Sequence, residues 1–154
     1  MKFSEMTYTR PDPEASKQQL SALTEELKSA GSYEEARKVF LSQQELMSHI
    51  STAATLASIR HSIDTRDAFY DGEEKFWNNF NPELEEYNQA WTAAMLESPF
   101  RADFEQEYGD LMFVNAEIAL KTFSPAIIPE LQQENDLTQE YEKLLASAQI
   151  PFEG

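Results

Sequence analysis

Cysteine is absent from the 154-residue sequence, so neither disulfides, thiolate metal ligands nor a cysteine nucleophile can contribute to its structure or chemistry. The sequence also lacks an apolar run of about 18 residues, the length that spans a membrane. Its first ten residues have no basic start followed by an apolar stretch, as a secretory signal would. We therefore expect a cytoplasmic protein with no membrane partner.

Positive charge is scarce as well. The chain holds 12 Lys and Arg against 28 Asp and Glu, which gives a formal net charge of −16 at pH 7. Such a charge repels the phosphate backbone, so nucleic acid is excluded as the expected partner. The charge is typical of the solvated surface of a helical bundle, and attraction of basic peptides is the alternative interpretation.

Glycine occurs only four times, whereas residues that favour helices are abundant. Apolar residues make up 41% and aromatic residues 12%, enough for one core at this length. The sequence predicts a single all-α domain over residues 1–154, a mostly antiparallel bundle of about six helices. Residues 149–154 alternate apolar and polar side chains, which predicts a strand-like C-terminal stub cut from a longer protein.

Capping residues predict where the first helices begin. Prolines at positions 11 and 13 predict an extended N-terminal arm over residues 1–11. Asp12 fits the N-cap of a first helix that Gly31 ends. Ser32 and Glu35 form a capping box, which starts a second helix of about 30 residues. Small residues at positions 51–58 predict that this second helix is the buried centre of the bundle.

Prolines also divide the rest of the chain. Pro82 predicts a break between a third helix, residues 65–80, and a fourth that ends before Pro99. A short helix is predicted over residues 100–108. The next helix, over residues 111–123, is expected to be buried because apolar residues occupy most of its faces. The last helix is predicted to begin at position 125 or 128 and to end at 147.

The two histidines do not form a recognisable metal site. The His-Glu-x-x-His pattern of helical zinc sites is absent, and His49 and His61 lie about 120° apart around a straight helix. Leu46 and Ser58 stand where a di-iron bundle needs glutamates. We assign no metal ligand and no catalytic residue to this chain.

The densest polar cluster lies at residues 60–71, where one predicted helix ends and the next begins. Its spacing brings charged side chains onto matching faces. One interpretation is a junction that contacts substrate or another domain. The other is a salt-bridge network with a helix cap at Asp64 or Thr65, and the pattern alone favours it. The candidate contact residues are Arg60, His61, Asp64, Arg66, Asp67 and Tyr70.

Five segments in order along the chain resemble the N-terminal region of oligoendopeptidase F, a family of thimet-type zinc peptidases. They are residues 1–5 (MKFSE), 54–71 (ATLASIRHSIDTRDAFYD), 96–101 (LESPFR), 119–125 (ALKTFSP) and 151–154 (PFEG). The resemblance implies a cytoplasmic helical lobe over a substrate channel. It also implies a C-terminal catalytic lobe that hydrolyses short peptides. That lobe would carry His-Glu-x-x-His, a further Glu ligand and zinc.

That catalytic lobe is missing from this sequence, so no zinc ligand of the family can be transferred to it. The resemblance implies that the chain alone is inactive, with the catalytic lobe of the same protein and short peptides as its partners. Zinc is implied only for the full-length peptidase. A self-standing helical module that binds a partner helix is the main alternative. A small independent enzyme is a third, although the sequence supplies no convergent catalytic site for it.

Overall fold

The computed structural model describes residues 3–122 and 124–148, and all regular structure in these ranges is helical. The α-helices are α1 (Pro13–Ser29), α2 (Tyr33–Ile63), α3 (Ala68–Leu96), α4 (Arg101–Tyr108), α5 (Leu111–Thr122) and α6 (Ile128–Ser147). Short 3₁₀ helices form at Phe3–Glu5 and Pro125–Ile127. The all-α prediction is confirmed. The predicted stub, 149–154, lies outside the described residues, and the antiparallel arrangement stays a prediction.

The capping predictions for α1 and α2 are confirmed, with one difference. Asp12 accepts a hydrogen bond from the Ala15 amide at 2.7 Å, and Ser32 accepts one from the Glu35 amide at 3.3 Å. The Glu35 carboxylate accepts from the Gly31 amide at 2.9 Å, one residue before the amide that a capping box would use. Both helices therefore begin where their side chains satisfy free backbone amides.

The centre of the bundle is α3, and the prediction that α2 holds this place is wrong. Helix α3 packs against α1, α2, α5 and α6, whereas α2 packs mainly against α1 and α3. Large apolar side chains from α1 to α5 form two buried clusters. One cluster includes Leu20, Ile50, Trp77, Phe80 and Leu84, and a second includes Leu27, Phe40, Trp91, Phe104 and Phe113.

The predicted break at Pro82 is also wrong, because α3 continues through this residue. Proline has no amide hydrogen, so the carbonyl of Asn78 loses its usual partner four residues later. Asn135 of α6 donates to that carbonyl at 3.1 Å, and Gln132 donates to the carbonyl of Asn79 at 2.9 Å. Side-chain amides of another helix thus satisfy the backbone around Pro82 and let α3 run on.

Helix α5 is not buried as its sequence predicted. Phe113 is its one fully buried residue, while Leu111, Val114 and Ile118 are exposed. These three residues recur at intervals of three and four, so they form one outward face. No single helix in the described ranges is both long and apolar enough to cross a membrane. Helix α5 and the segment Pro125–Ser147 meet the length and composition criteria only when they are taken together, and the two are bent by 63° relative to each other.

Candidate functional site

The junction between α2 and α3 is built by two aspartates. Asp64 caps the end of α2, and its carboxylate accepts from the backbone amide of Arg66 at 3.1 Å and from the Arg66 guanidinium at 3.4 Å. These hydrogen bonds, the backbone one first, lower the pKa of Asp64. Asp67 caps the start of α3 by accepting from the amides of Phe69 and Tyr70. The cap predicted at Asp64 or Thr65 is therefore at Asp67.

Arg60 connects the junction to the N-terminal arm. Its guanidinium donates to the Tyr70 hydroxyl at 2.6 Å and to the backbone carbonyl of Met6 at 2.5 Å. The same group lies 5.5 Å from the centroid of the Tyr70 ring. Tyr70 also contacts Tyr8 edge to face, with ring centroids 6.0 Å apart. Arg60 and Tyr70 thus hold the arm against α2 and α3.

A buried glutamate completes this attachment, and the sequence did not reveal it. Glu73 is buried, and its carboxylate accepts from Arg10 at 2.9 and 2.5 Å. The Tyr8 hydroxyl also donates to Glu73 and accepts from Trp77 at 3.1 Å. The Arg10 hydrogen bonds lower the pKa of Glu73, whereas burial and the neighbouring carboxylate raise the pKa of Tyr8 to about 12.

His61 is enclosed in the protein, with 1% of its surface exposed, so it is not available for contact with another molecule. Its Nε2 lies 3.6 Å from the Asp71 carboxylate. Asp71 pairs with Lys143 of α6 and with Lys75 at 3.4 Å, and the Lys143 interaction chiefly lowers the pKa of Asp71. Burial raises the pKa of the adjacent Glu74. These groups join α2, α3 and α6.

Arg66 differs from the other predicted contact residues. Its side chain is 92% exposed, and among the described residues its carboxylate contact is Asp64. It lines a cleft of about 540 Å³ between the α2–α3 junction and the end of α6, with Ser62, Ile63 and Ala146 among the other lining residues. Of the six predicted residues, the structure directs Arg66 to solvent, whereas the other five cap helices or join elements.

Metal binding by the acidic and histidine side chains of the junction depends on their positions. Within residues 3–122 and 124–148, no group of three or more His, Asp or Glu side chains is placed to hold a metal ion. The donor set that zinc needs is therefore not formed by the residues described. The arrangement can fix the arm and the ends of three helices and present one guanidinium to a ligand or another domain.

The family profile described as "Peptidase M3 N-terminal domain" matches residues 3–123. No curated protein matches the sequence. A crystal structure of a protein assigned as an oligoendopeptidase F shares 41% identity with a TM-score of 0.95, over 100% of this chain and 27% of that chain. An assigned oligoendopeptidase F from Bacillus anthracis str. Ames shares 39% identity with a TM-score of 0.95, over 100% of this chain and 28% of that one.

A third solved structure, PZ peptidase A with an inhibitor, shares 40% identity with a TM-score of 0.94, over 99% of this chain and 27% of that chain. The chain thus spans little more than a quarter of the length of these solved proteins.

Proposed function

This chain belongs to the peptidase M3 N-terminal domain family, and we propose that it is the non-catalytic N-terminal lobe of a zinc-dependent oligoendopeptidase. One observation carries the proposal: the whole chain superposes on a quarter of longer proteins that are assigned as oligoendopeptidases. In the proposal, residues 1–154 form the helical domain of a longer cytoplasmic polypeptide. Its C-terminal catalytic lobe supplies the zinc ligands, and zinc supplies activation of water for peptide hydrolysis.

The proposed role of this lobe is to cover the substrate channel and restrict it to short peptides. A wall of packed helices excludes folded proteins, because the buried apolar clusters of α1, α2 and α3 give it a fixed shape. Arg66 is the junction residue that we propose contacts the catalytic lobe or a bound peptide, since its guanidinium projects into solvent beside a cleft. A guanidinium binds a carboxylate with two parallel hydrogen bonds.

The test begins with the product of the native gene. We expect an intact mass several-fold above the 17.7 kDa of this chain, with bound zinc and peptidase activity. In a series of peptide substrates of increasing length, only the short ones should be cleaved. A protein substrate should be cleaved no faster when it is unfolded than when it is folded. A longer product that digests unfolded proteins as readily as short peptides contradicts the size-selection part of the proposal.

An interaction module is the second candidate, and one feature of the structure favours it. An apolar groove of about 360 Å³ between α2, α3 and α5 includes the side chains of Met47, Trp91, Met95 and Met112. Flexible methionines line grooves that accept amphipathic helices. A native product of 17.7 kDa without zinc or peptidase activity would support this second candidate over the first.

A further inference from the structure

Helix α6 turns its polar face toward the rest of the protein. Gln132 and Asn135 donate to the carbonyls of α3 around Pro82, and the buried Gln139 donates to the Asp71 carboxylate at 3.2 Å. Lys143 pairs with the same carboxylate. These positions are spaced by three and four residues, so they lie on one side of the helix. Helix α6 is therefore held to α3 by amides and an ion pair.

The opposite side of α6 is apolar and exposed. Leu137, Tyr141, Leu144 and Leu145 are 57%, 60%, 67% and 58% exposed. At about 100° per residue, the centre of this group lies about 180° from the centre of the polar group. A surface helix of a globular protein has the reverse orientation, with its apolar face toward the core. A contiguous apolar face of this kind marks a surface that another element covers.

The comparison with longer proteins indicates what covers it. This chain matches an N-terminal domain and spans 27% or 28% of the solved chains, so most of such a polypeptide follows α6. Helix α6 (Ile128–Ser147) is the last helix in the part of the chain that the structure describes. Glu130 and Glu134 continue the outward face toward the start of α6, and both are exposed. A matching surface would be apolar with basic residues at one end.

We propose that the outward face of α6, defined by Leu137, Tyr141, Leu144 and Leu145, is the surface on which the catalytic lobe of the same polypeptide packs. This inference rests on the proposed function and adds to it the contact surface and the chemistry of the partner. The catalytic lobe contributes an apolar patch to the four residues and Lys or Arg side chains to Glu130 and Glu134. The polar side of α6 joins it to α3, so the helix lies between the two lobes.

The absence of cysteine makes a direct test of accessibility possible. Leu144→Cys is made both in the 154-residue chain and in the full-length product of the gene, and each folded protein is treated with a small maleimide. Mass spectrometry of the peptide containing residue 144 gives the labelling rate. We expect at least about a tenfold slower rate in the full-length protein, because a covered side chain reacts only when the surface opens. Ser21→Cys, on the exposed side of α1, is the control. The ratio of its labelling rates in the two proteins corrects the rates at residue 144 for the difference in protein size.

Three results would overturn the inference, and they differ in whether the proposed function is also contradicted. An equal labelling rate at residue 144 in both proteins, with zinc and peptidase activity present, removes the docking surface and leaves the proposed function intact. A gene product no longer than this chain removes both. Slow labelling in the 154-residue chain, with dimers in sedimentation that Leu144→Ser abolishes, shows that a second copy covers α6 instead.

Discussion

The two sides of α3 are packed in opposite ways. Toward α1 and α2 it buries Trp77, Phe80 and Leu84 in an apolar cluster, whereas toward α6 it offers backbone carbonyls and the carboxylate of Asp71. Burying a large apolar side chain contributes about 1.5–3 kcal/mol, while a hydrogen bond contributes about 1 kcal/mol net. The contacts of α3 with α1 and α2 are therefore expected to stabilise the fold more than its contacts with α6 do.

The largest expected effect comes from opening the apolar side. Leu20→Ala removes a fully buried side chain of α1 that packs in the cluster with Trp77 and Phe80. We expect the free energy of unfolding to fall by about 2–5 kcal/mol, since the cavity cannot collapse fully. Urea denaturation followed by circular dichroism measures it. Ser21→Ala, exposed on the same helix, is the control, and a loss below about 1 kcal/mol for Leu20→Ala would mean that this side is loosely packed.

A smaller effect is expected at Glu73, a buried carboxylate on the side of α3 that faces the N-terminal arm. Glu73→Gln leaves Arg10 without its carboxylate and should lower the free energy of unfolding by about 1–3 kcal/mol at pH 7. The folded-state pKa of Glu73 is lowered, so its contribution is present above the pKa of the unfolded state. It is lost as the pH falls through the folded-state value. Denaturation series between pH 7 and pH 3 should show a shallower acid dependence in the variant.

The neighbouring residue supplies a control of opposite sign. Burial raises the pKa of Glu74, so any stability linked to its protonation is present below the unfolded pKa and is lost as the pH rises through the folded one. Glu74→Gln should therefore leave stability at pH 7 unchanged or increased. If Glu73→Gln and Glu74→Gln gave the same pH dependence, the assignment of the buried ion pair to Glu73 would be incorrect.

The polar side of α3 can be tested through Pro82. Asn135→Ala removes the donor to the Asn78 carbonyl and should lower stability by about 1 kcal/mol, while hydrogen exchange in α6 speeds up and exchange in α1 does not. In the Pro82→Ala background the backbone amide of residue 82 can reach that carbonyl, so Asn135→Ala should cost less. Additive effects in this double-mutant cycle would show that Asn135 does not compensate for the proline.

The sequence predicted helix starts well because their causes are local. Asp12 and Ser32 cap α1 and α2 through amides three residues away, and the pattern of residue types is enough to identify them. The predicted break at Pro82 was wrong because the residues that prevent it are distant in the sequence. Its compensating donors, Gln132 and Asn135, stand some fifty residues later in the chain, and no local rule connects them to the proline.

The same limit applies to surfaces. The outward faces of α5 and α6 have the apolar periodicity of buried helices, and periodicity alone does not tell which molecule buries them. At the junction, the sequence located the polar cluster but not the function of each member. His61 is enclosed and Arg60 holds the arm, because their partners Asp71, Tyr70 and Met6 come from other elements. Glu73 was missed because an acidic pair on a helix is typical of a solvated face.

The smallest effect on folding is expected at Arg66, and this makes it the best probe of function. Its guanidinium is almost fully exposed and contacts Asp64 at 3.4 Å, so Arg66→Ala should change the free energy of unfolding by less than about 0.5 kcal/mol. If the proposed function holds, Arg66→Ala in the full-length protein should raise KM for short peptides with little change in kcat, since a positioned charge would act in binding. Lys28→Ala, an exposed cation of α1, is the matched control. Unchanged KM and kcat for Arg66→Ala would restrict the α2–α3 junction to a structural role, and contact with the catalytic lobe would then rest on α6.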